Sequence, residues 1–380
     1  MSKKISNQDK KEILEILAEL IRIPSVNTGN PKDNPEAEIA KFIIQYIENI
    51  GMQCENIATN TGRPNIIGRW RDNPNNKPTL TLNAHMDTVN VDGMTIDPFN
   101  PEIKNGRIYG RGSCDTKGSL AVFLWAIKRL SNMREELYRH LEFLATCDEE
   151  NHCSGSCELV NKGYKADEMI IGEPTNCQIA TAHRGLMIIK LRAKGVSVHA
   201  SVPHAGDNAI YKISRAIELL RNEWIKKLEA NNHQLLGKAT SAVTLISGGQ
   251  RVNIIPDKCE ALLDTRILPN QNPNEIIDSL QHITNDLCDV RCEITQPALE
   301  TSEQLPFVQR LLRTCKAITG KGKPTGLSFL TDACQFARSG AKCIVFGPGS
   351  IEQAHSANEY VETEQLYQAA EILLNFLINE

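Results

Sequence analysis

The sequence predicts an α/β fold that is interrupted by an inserted α+β domain. At 380 residues the chain is longer than one compact core usually becomes, so we expect two domains. Strand-like runs alternate with helical patterns in the first part and near the end, which is typical of a sheet covered by helices. The middle follows the order β-α-β-β-α-β, a split βαβ unit of ferredoxin-like type. We therefore predict one domain formed by residues 1–179 and 296–380, and an inserted domain formed by residues 180–295.

The first part of the chain combines amphipathic helices with short apolar strands. Apolar residues recur at helical spacing from Ile13 to Ile21, and Pro24 ends this first helix. A second helix is expected over about 35–50, and a third has an apolar face between Leu120 and Leu130. The strands are predicted by β-rich runs at residues 64–69, 79–84, 141–146 and 168–172.

The middle part supplies the elements of the split βαβ unit. We expect its strands at residues 184–194, 241–247, 259–267 and 290–295, and its helices at about 207–229 and 273–287. From about residue 300 the α/β pattern returns, with a strand at 343–346 and a closing helix.

Composition excludes several classes of protein. The formal net charge is −4 and no basic stripe is visible, which argues against a nucleic-acid partner. No apolar run approaches the roughly 18 residues that a membrane-spanning helix requires. The polar start of the sequence lacks the apolar core of a signal peptide, so we expect a cytoplasmic protein. The 12 cysteines are then expected to be reduced thiols.

Histidine and carboxylate residues follow the predicted strands at the point where each strand ends. In open α/β sheets, ligands collect beyond the carboxyl ends of the strands. One further carboxylate, Asp115, lies in the glycine-rich turn YGRGSCDTKG just before a helix. The residues that follow strands are His85 with Asp87, then Asp148, Glu149 and Glu150, then Glu173, and finally His355.

Each of these residues also has a simpler explanation when it is taken alone. The pair His85 and Asp87 can be a solvated turn, Asp115 can cap the helix after it, and Glu149 beside Glu150 can be an exposed charged pair. Their joint occurrence instead favours a two-zinc site, in which His and carboxylate ligands share one bridging carboxylate and a water. A structural zinc is a weaker alternative, because Cys-x-x-x-Cys pairs such as Cys153 with Cys157 and Cys288 with Cys292 are a weak zinc signal without a second pair of the expected spacing. Its ligands would be Cys147, His152, Cys153 and Cys157.

The longer motifs resemble the zinc exopeptidase family of acetylornithine deacetylase, succinyl-diaminopimelate desuccinylase, aminoacylase and glutamate carboxypeptidase. The resemblance covers nearly the whole chain, and it implies a mixed-sheet catalytic domain with an inserted lid and dimerisation domain. One departure is the segment NHCSGSC after the paired glutamates, where Cys153 and Cys157 are unusual. The motifs are NAHMDTV, GRGSCDTKG, CDEE, GEPT, GVSVHASVPHAGDNAI, RVNIIP and AHSANEY.

The resemblance implies two zinc ions per chain, for which cobalt or manganese can substitute. His85 and Glu173 would be the terminal ligands of one ion. Glu150 and His355 would be the terminal ligands of the other ion, and Asp115 would bridge the two.

The resemblance also implies the groups that act on the substrate. Glu149 would be the general base, and Asp87 would hold the first histidine ligand through a hydrogen bond. His199, in the inserted domain, would polarise the scissile carbonyl, and Asn253 and Arg266 would bind substrate.

The predicted function is hydrolysis of the amide bond of an N-acyl amino acid, which releases a carboxylate and the free amino acid. The tail GPGSIEQAHSANEY resembles the acetylornithine deacetylase and succinyl-diaminopimelate desuccinylase branch more than the dipeptidases. A dipeptidase or aminoacylase of the same family is the alternative, and a non-catalytic scaffold on the same fold is a more distant one. The expected partners are a small-molecule N-acyl amino acid and a second copy of the chain, which would pair through the inserted domain.

Overall fold

A computed structural model describes residues 3–30, 32–73 and 76–378. Within these residues the chain divides into two compact units. The first unit comprises the chain up to Thr181, Thr301–Thr325 and the chain from Thr331 onward. The second unit comprises Ala182–Glu300 and Gly326–Leu330. The short segment Gly326–Leu330 is held in the second unit by the Arg184 N–H, which donates to the Leu327 carbonyl at 3.3 Å.

The helices and strands are numbered in chain order. The elements up to residue 183 are α1 (Asn7–Arg22), α2 (Ala37–Asn49), β1 (Gln53–Ala58), β2 (Pro64–Arg69), β3 (Thr79–His85), β4 (Glu102–Lys104), β5 (Arg107–Tyr109), α3 (Lys117–Leu130), β6 (His140–Thr146), α4 (Ser154–Asn161), β7 (Glu168–Ile171) and β8 (Ala180–His183). Those up to residue 300 are β9 (Gly185–Lys194), α5 (Ala209–Leu219), α6 (Ile225–Leu228), β10 (Asn232–His233), β11 (Gly237–Lys238), β12 (Thr240–Gly248), β13 (Lys258–Ile267), α7 (Pro273–Thr284), β14 (Asp289–Gln296) and β15 (Leu299–Glu300). The remaining elements are α8 (Pro306–Thr319), β16 (Thr325–Leu327), α9 (Ala333–Arg338), β17 (Lys342–Val345), β18 (Tyr360–Glu362) and α10 (Thr363–Leu377).

The first unit is built on a mixed sheet whose centre is parallel. The order from one edge is β1, β2, β6, β3, β7, β17 and β8. Strands β6, β3, β7 and β17 run parallel, so their carboxyl ends lie at one edge of the sheet. The outer pairs β1–β2 and β2–β6 are antiparallel. Helices α1, α3 and α10 contribute many of the buried apolar side chains in the core of this unit.

The second unit is a four-stranded antiparallel sheet with helices on one face. Its strand order is β12, β13, β9 and β14, as expected for β-α-β-β-α-β connectivity. Buried and partly exposed residues alternate along β9 and β13, because one face of the sheet packs on the helices while the other remains open. A separate apolar core lies between this sheet and helices α5 and α7.

The mixed α/β fold predicted from the sequence is confirmed, and the predicted strands and helices of both parts are present with ends shifted by a few residues. The helix expected over 207–229 differs, because a π-helical turn at Leu220–Trp224 separates α5 from α6. Strand β1 was not predicted, since its exposed and partly buried residues do not alternate with period two. In the described part of the chain, no helix is both long and apolar enough to cross a membrane.

Candidate active site

The parallel centre of the sheet brings distant parts of the chain to one edge. His85 is the last residue of β3, and Thr146, its partner in register, ends β6 just before the segment that carries Glu149 and Glu150. Glu173 follows β7 after one glycine. Strand β17 reaches the same edge, and Gly347 lets it approach closely, because a Cβ there would lie 2.6 Å from the Glu173 carbonyl oxygen.

The Asp115 carboxylate lies between two histidines. Its Oδ1 is 3.2 Å from Nε2 of His85, and its Oδ2 is 3.3 Å from Nε2 of His355. Asp115 therefore does not serve as the cap of α3, whose N-cap residue is Thr116. The peptide bond between Asp115 and Thr116 is cis. A carboxylate whose two oxygens face different histidines has the arrangement of a bridging ligand.

Two groups of side chains can each hold a metal ion. Nε2 of His85 lies 3.8 Å from Glu173 Oε1, and Nε2 of His355 lies 3.0 Å from Glu150 Oε2. Two ligand atoms of one tetrahedral zinc ion lie roughly 3.4 Å apart, so these distances fit a metal site. The described residues contain no other such group, and these two contain no cysteine. The groups are His85, Asp115 and Glu173, and Asp115, Glu150 and His355.

The electrostatics of these groups also fit bound cations. Burial raises the pKa of Glu150 to about 7, and the charge of Asp115 adds to this effect. Burial, and then the charge of Glu173, raise the pKa of Glu149 well above its usual range. Hydrogen bonds to Asp115 and Glu150 raise the pKa of His355 to about 10. Carboxylates that repel one another in a buried place are stabilised by positive ions, which reverse these pKa shifts.

Asp87 organises the segment that carries the paired glutamates. Its Oδ1 accepts the main-chain N–H of Glu149 at 3.1 Å, and its Oδ2 accepts that of Glu150 at 3.2 Å. The expected hydrogen bond between the Asp87 carboxylate and the His85 ring differs in detail. Nδ1 of His85 lies 2.9 Å from the Asp87 carbonyl oxygen but 3.6 Å from its carboxylate, because that carboxylate is engaged by the two N–H groups.

Glu359 is a buried carboxylate that the sequence reasoning missed. It accepts the main-chain N–H groups of Gly112 at 2.9 Å, Cys114 at 2.8 Å and Asp115 at 3.0 Å. Nη1 of Arg111 also donates to it at 2.7 Å. Glu359 therefore fixes the turn that presents Asp115. The sequence feature that could have indicated Glu359 is its position in the motif AHSANEY, four residues after His355.

Asp332 is a second buried carboxylate that was missed. It accepts a hydrogen bond from Thr146 Oγ1 at 2.7 Å, and the Ser156 hydroxyl also donates to it. These hydroxyls lie on either side of the segment that carries Glu149. Asp332 thus connects the end of β6 to helix α4 across that segment.

In the second unit, the predicted residues His199 and Asn253 lie on neighbouring segments. His199 forms a β-bridge with Ile254, and the Ala200 N–H donates to the Asn253 carbonyl at 2.9 Å. The His199 side chain is exposed, with Nδ1 2.7 Å from the Ser201 hydroxyl.

The structure does not bring Arg266 to His199 and Asn253 within this unit. The guanidinium of Arg266 pairs with Asp264 of its own strand, at 2.7 Å from Nε and 3.0 Å from Nη2. Strand β13 begins at Lys258, just after the segment that contains Asn253. At about 3.3 Å per residue, the eight residues from Lys258 to Arg266 span roughly 26 Å. One small substrate cannot contact both ends of this strand.

Comparison with known proteins identifies related sequences. The family model described as peptidase family M20/M25/M40 matches residues 81–379. A probable succinyl-diaminopimelate desuccinylase of Staphylococcus aureus (strain MSSA476) is 27% identical, over 96% of this chain and 96% of that protein. An acetylornithine deacetylase of Myxococcus xanthus is 30% identical, over 81% of this chain and 82% of that protein.

Solved structures share the fold. Aminopeptidase PepT from Bacillus cereus ATCC 10987 has a TM-score of 0.79 at 21% identity, covering 97% of this chain and 98% of that one. The Bacillus subtilis YXEP protein, a dinuclear metal-binding peptidase of the M20 family, has a TM-score of 0.73 at 14% identity, covering 98% of each chain.

Proposed function

The chain belongs to peptidase family M20/M25/M40 and is a metal-dependent amidohydrolase, and from that premise we propose that it removes the acyl group from an N-acyl amino acid. The observation that carries this proposal is the Asp115 carboxylate, which faces His85 and His355 with one oxygen each. Glu149 belongs to neither ligand group, and the charges of Glu173 and His85, which both belong to one of those groups, act on its carboxylate.

We propose zinc as the metal, with two ions per chain. His85 and Glu173 would hold one ion, Glu150 and His355 the other, and Asp115 both. Bound there, the ions would supply a Lewis acid for the carbonyl group and a water that loses its proton near neutral pH. The His and carboxylate donor set suits zinc, and cobalt and manganese remain possible substitutes in the test tube.

The protein side chains would position and transfer the proton. Glu149 would accept the proton of the attacking water and return it to the leaving amine, a role that typically contributes about 10²–10⁴-fold to the rate. Asp87 would keep Glu149 in place, since it accepts the Glu149 N–H at 3.1 Å. His199 would donate a hydrogen bond to the carbonyl oxygen as negative charge develops there.

The substrate class follows from the relatives and from the substrate-binding residues. Two relatives that match most of the chain are named for removal of an acetyl or a succinyl group from an amino acid. Asn253 and Arg266, contributed by two different copies of the chain, would bind the amino-acid portion, and a guanidinium suits a carboxylate. Arg266 would then exchange its contact with Asp264 for the substrate.

We also propose a homodimer formed through the second unit, in the cytoplasm. Strand β12 is an edge strand, and its side chains Leu245 and Ile246 are 64% and 56% exposed. An exposed apolar edge strand is a liability that pairing with a second copy removes. The separation of Arg266 from His199 supports the same arrangement, because one of them can serve its own chain while the other serves the partner. The 12 free cysteines suit a reducing compartment.

The test is a hydrolysis panel on zinc-reconstituted protein, with metal content measured on the same sample. The panel contains N-acetylornithine, N-succinyl-diaminopimelate, other N-acetyl, N-succinyl and N-formyl amino acids, and dipeptides. We expect the acyl amino acids to exceed the dipeptides in kcat/KM, and two ions per active chain. Activity that survives complete removal of metal would refute the mechanism.

A dipeptidase or aminoacylase is the second candidate, favoured by the fold shared with a peptidase such as PepT. A larger kcat/KM for dipeptides in the same panel would replace our proposal with this one.

A further inference from the structure

Three buried carboxylates converge on one buried guanidinium behind the proposed metal site. Arg63 lies just before β2 and is 4% exposed. The carboxylates belong to Glu36 and Asp87, both 0% exposed, and to Asp148, which is 4% exposed. Buried charges of this kind lower the stability of the folded state unless each is paired. We therefore ask what this network does for the site.

All three nitrogen atoms of the Arg63 guanidinium contact these carboxylates. Nε of Arg63 donates to Glu36 Oε2 at 2.9 Å, and Nη2 donates to the other oxygen of Glu36. Nη1 donates to Asp148 Oδ1 at 2.6 Å, and Nη2 lies 3.9 Å from Asp87 Oδ2. The neutral amide of Asn27 joins the same two aspartates, at 2.8 Å from Asp87 and 2.9 Å from Asp148.

The carboxylates in turn hold three consecutive peptide groups. Glu36 accepts the N–H of Asp148 at 3.2 Å, and Asp87 accepts the N–H groups of Glu149 and Glu150. Asp148 has φ +59°, a left-handed conformation that non-glycine residues rarely adopt. Such a conformation persists only where its surroundings determine it fully. The turn that carries Glu149 and Glu150 is therefore set by the network rather than by its own sequence.

We propose that Arg63 is a positioning residue that fixes this turn, and through it the orientation of Glu149 and Glu150. The proposal rests on the proposed function in that Glu149 would be the base and Glu150 a metal ligand. Without the guanidinium, Glu36, Asp87 and Asp148 would repel one another in a buried space. Asp87 and Asp148 would then move apart, and the main chain of the turn would lose its acceptors. A lysine keeps the charge but cannot span Glu36 and Asp148 with a planar fork.

The test compares R63K and R63M with a matched control, R139M. Arg139 forms an equally bidentate pair with Glu168, at 2.7 and 3.1 Å, and both side chains are largely buried. Glu168 begins β7, so this pair lies at the opposite end of the strand from Glu173. The control therefore reports the loss of a buried ion pair in the same unit without a change at the turn.

Three quantities are measured for each variant: zinc affinity by titration calorimetry of metal-free protein, kcat and KM on the best substrate, and the urea midpoint. We expect R63M to bind zinc about 10–100-fold more weakly than wild type and to lose about 100-fold in kcat, with KM within about 3-fold. R63K should lose about 10-fold in kcat and in zinc affinity, because its charge remains but its geometry does not. R139M should lower the urea midpoint while zinc affinity and kcat stay within about 2-fold.

The proposal is overturned if R63M and R63K are folded and their zinc affinity and kcat stay within about 3-fold of R139M. If R63M fails to fold, R63K alone decides by the same criterion. If wild type hydrolyses nothing in the panel and yet the Arg63 variants lose zinc affinity relative to R139M, the proposed function fails while the role of Arg63 stands.

Discussion

The carboxylate of Glu359 accepts the main-chain N–H of Asp115 at 3.0 Å across 244 residues of sequence. His355 precedes Glu359 by four residues and lies 3.3 Å from the Asp115 carboxylate. One short segment of the chain thus contributes a candidate metal ligand and also holds the turn that presents the candidate bridging ligand. This coupling explains why a carboxylate with 0% exposure is placed there, since it satisfies three peptide N–H groups and Arg111 at once.

The first prediction concerns the variant E359Q. Glutamine keeps one acceptor oxygen and replaces the other with an NH2 group, so either Gly112 and Arg111 or Cys114 and Asp115 then face a donor instead of an acceptor. We expect the turn to shift and kcat/KM to fall by about 10–100-fold, with weaker binding of both metal ions. E362Q is the control, because Glu362 pairs with Arg107 where both side chains are more than a third exposed. An E359Q enzyme as active as E362Q would show that the hydrogen bonds of Glu359 to the turn that presents Asp115 do not affect catalysis.

The second prediction separates the neighbouring glutamates. E149Q should keep both metal ions and lose most of kcat, by about 10²–10⁴-fold, because it removes proton transfer only. E150Q should weaken the binding of the metal ion that Glu150 would share with His355, since Glu150 Oε2 lies 3.0 Å from that imidazole. Metal content and single-turnover rates distinguish the two. Reversed phenotypes would mean that the base and the ligand were assigned the wrong way round.

The third prediction is that His199 acts in the active site of a second copy. H199A and E149Q proteins are each expected to be nearly inactive. If His199 serves the partner, each mixed dimer has one site with both groups and one site with neither. Activity should recover to about a quarter of wild type after random exchange, since half of the dimers are mixed. A mixture that stays inactive after exchange has been verified by mass would show that His199 serves its own chain or has no role in catalysis.

The fourth prediction concerns pH and His183. Burial lowers the pKa of this fully buried histidine from 6.5 to about 4, although Nδ1 lies 2.9 Å from the Arg184 carbonyl oxygen. Between those values the unfolded chain binds more protons than the folded chain, so the free energy of unfolding falls as the pH falls. The loss between pH 7 and pH 5 should be about 2 kcal/mol from this residue.

The measurement is urea unfolding of wild type, H183Q and H204Q at both pH values. H183Q should remove about 2 kcal/mol of the pH dependence, because glutamine does not titrate. H204Q is the control, because His204 is an exposed histidine. If the free energy of unfolding changes equally with pH in wild type and H183Q, the lowered pKa of His183 is contradicted.

The secondary structure was readable from the sequence because it depends on local periodicity. The spacing of Ile13, Leu17 and Leu20 predicts α1, and all three side chains are fully buried in it. The β-rich runs similarly predicted β3, β6, β7 and β17, and chemistry-bearing residues at their ends predicted where a site would form. The helix interruption at Leu220–Trp224 gave no such signal, since a π turn leaves the apolar pattern nearly intact.

The candidate site was readable only in part. Residue types and motif order pointed to His85, Asp115, Glu150, Glu173 and His355, and the structure brings these five together. The sequence did not indicate that the Asp87 carboxylate would bond to peptide N–H groups rather than to the His85 ring. The sequence also gave no reason to expect that the guanidinium of Arg266 would pair with the carboxylate of Asp264. Both depend on which acceptors and donors lie nearby in space.

The sequence by itself determined strands β3, β6, β7 and β17 and which polar residues stand at their ends, because local runs of apolar, β-favouring residues predict buried strands. Only the tertiary structure decided that β3, β6, β7 and β17 are parallel neighbours, and hence which of those residues meet. It also decided that Arg63 and Glu359 hold the turns that carry Glu149 and Asp115, across 85 and 244 residues of sequence respectively. Contacts of this kind arise when buried charges and peptide groups must find partners, and no local pattern records which distant residue will supply them.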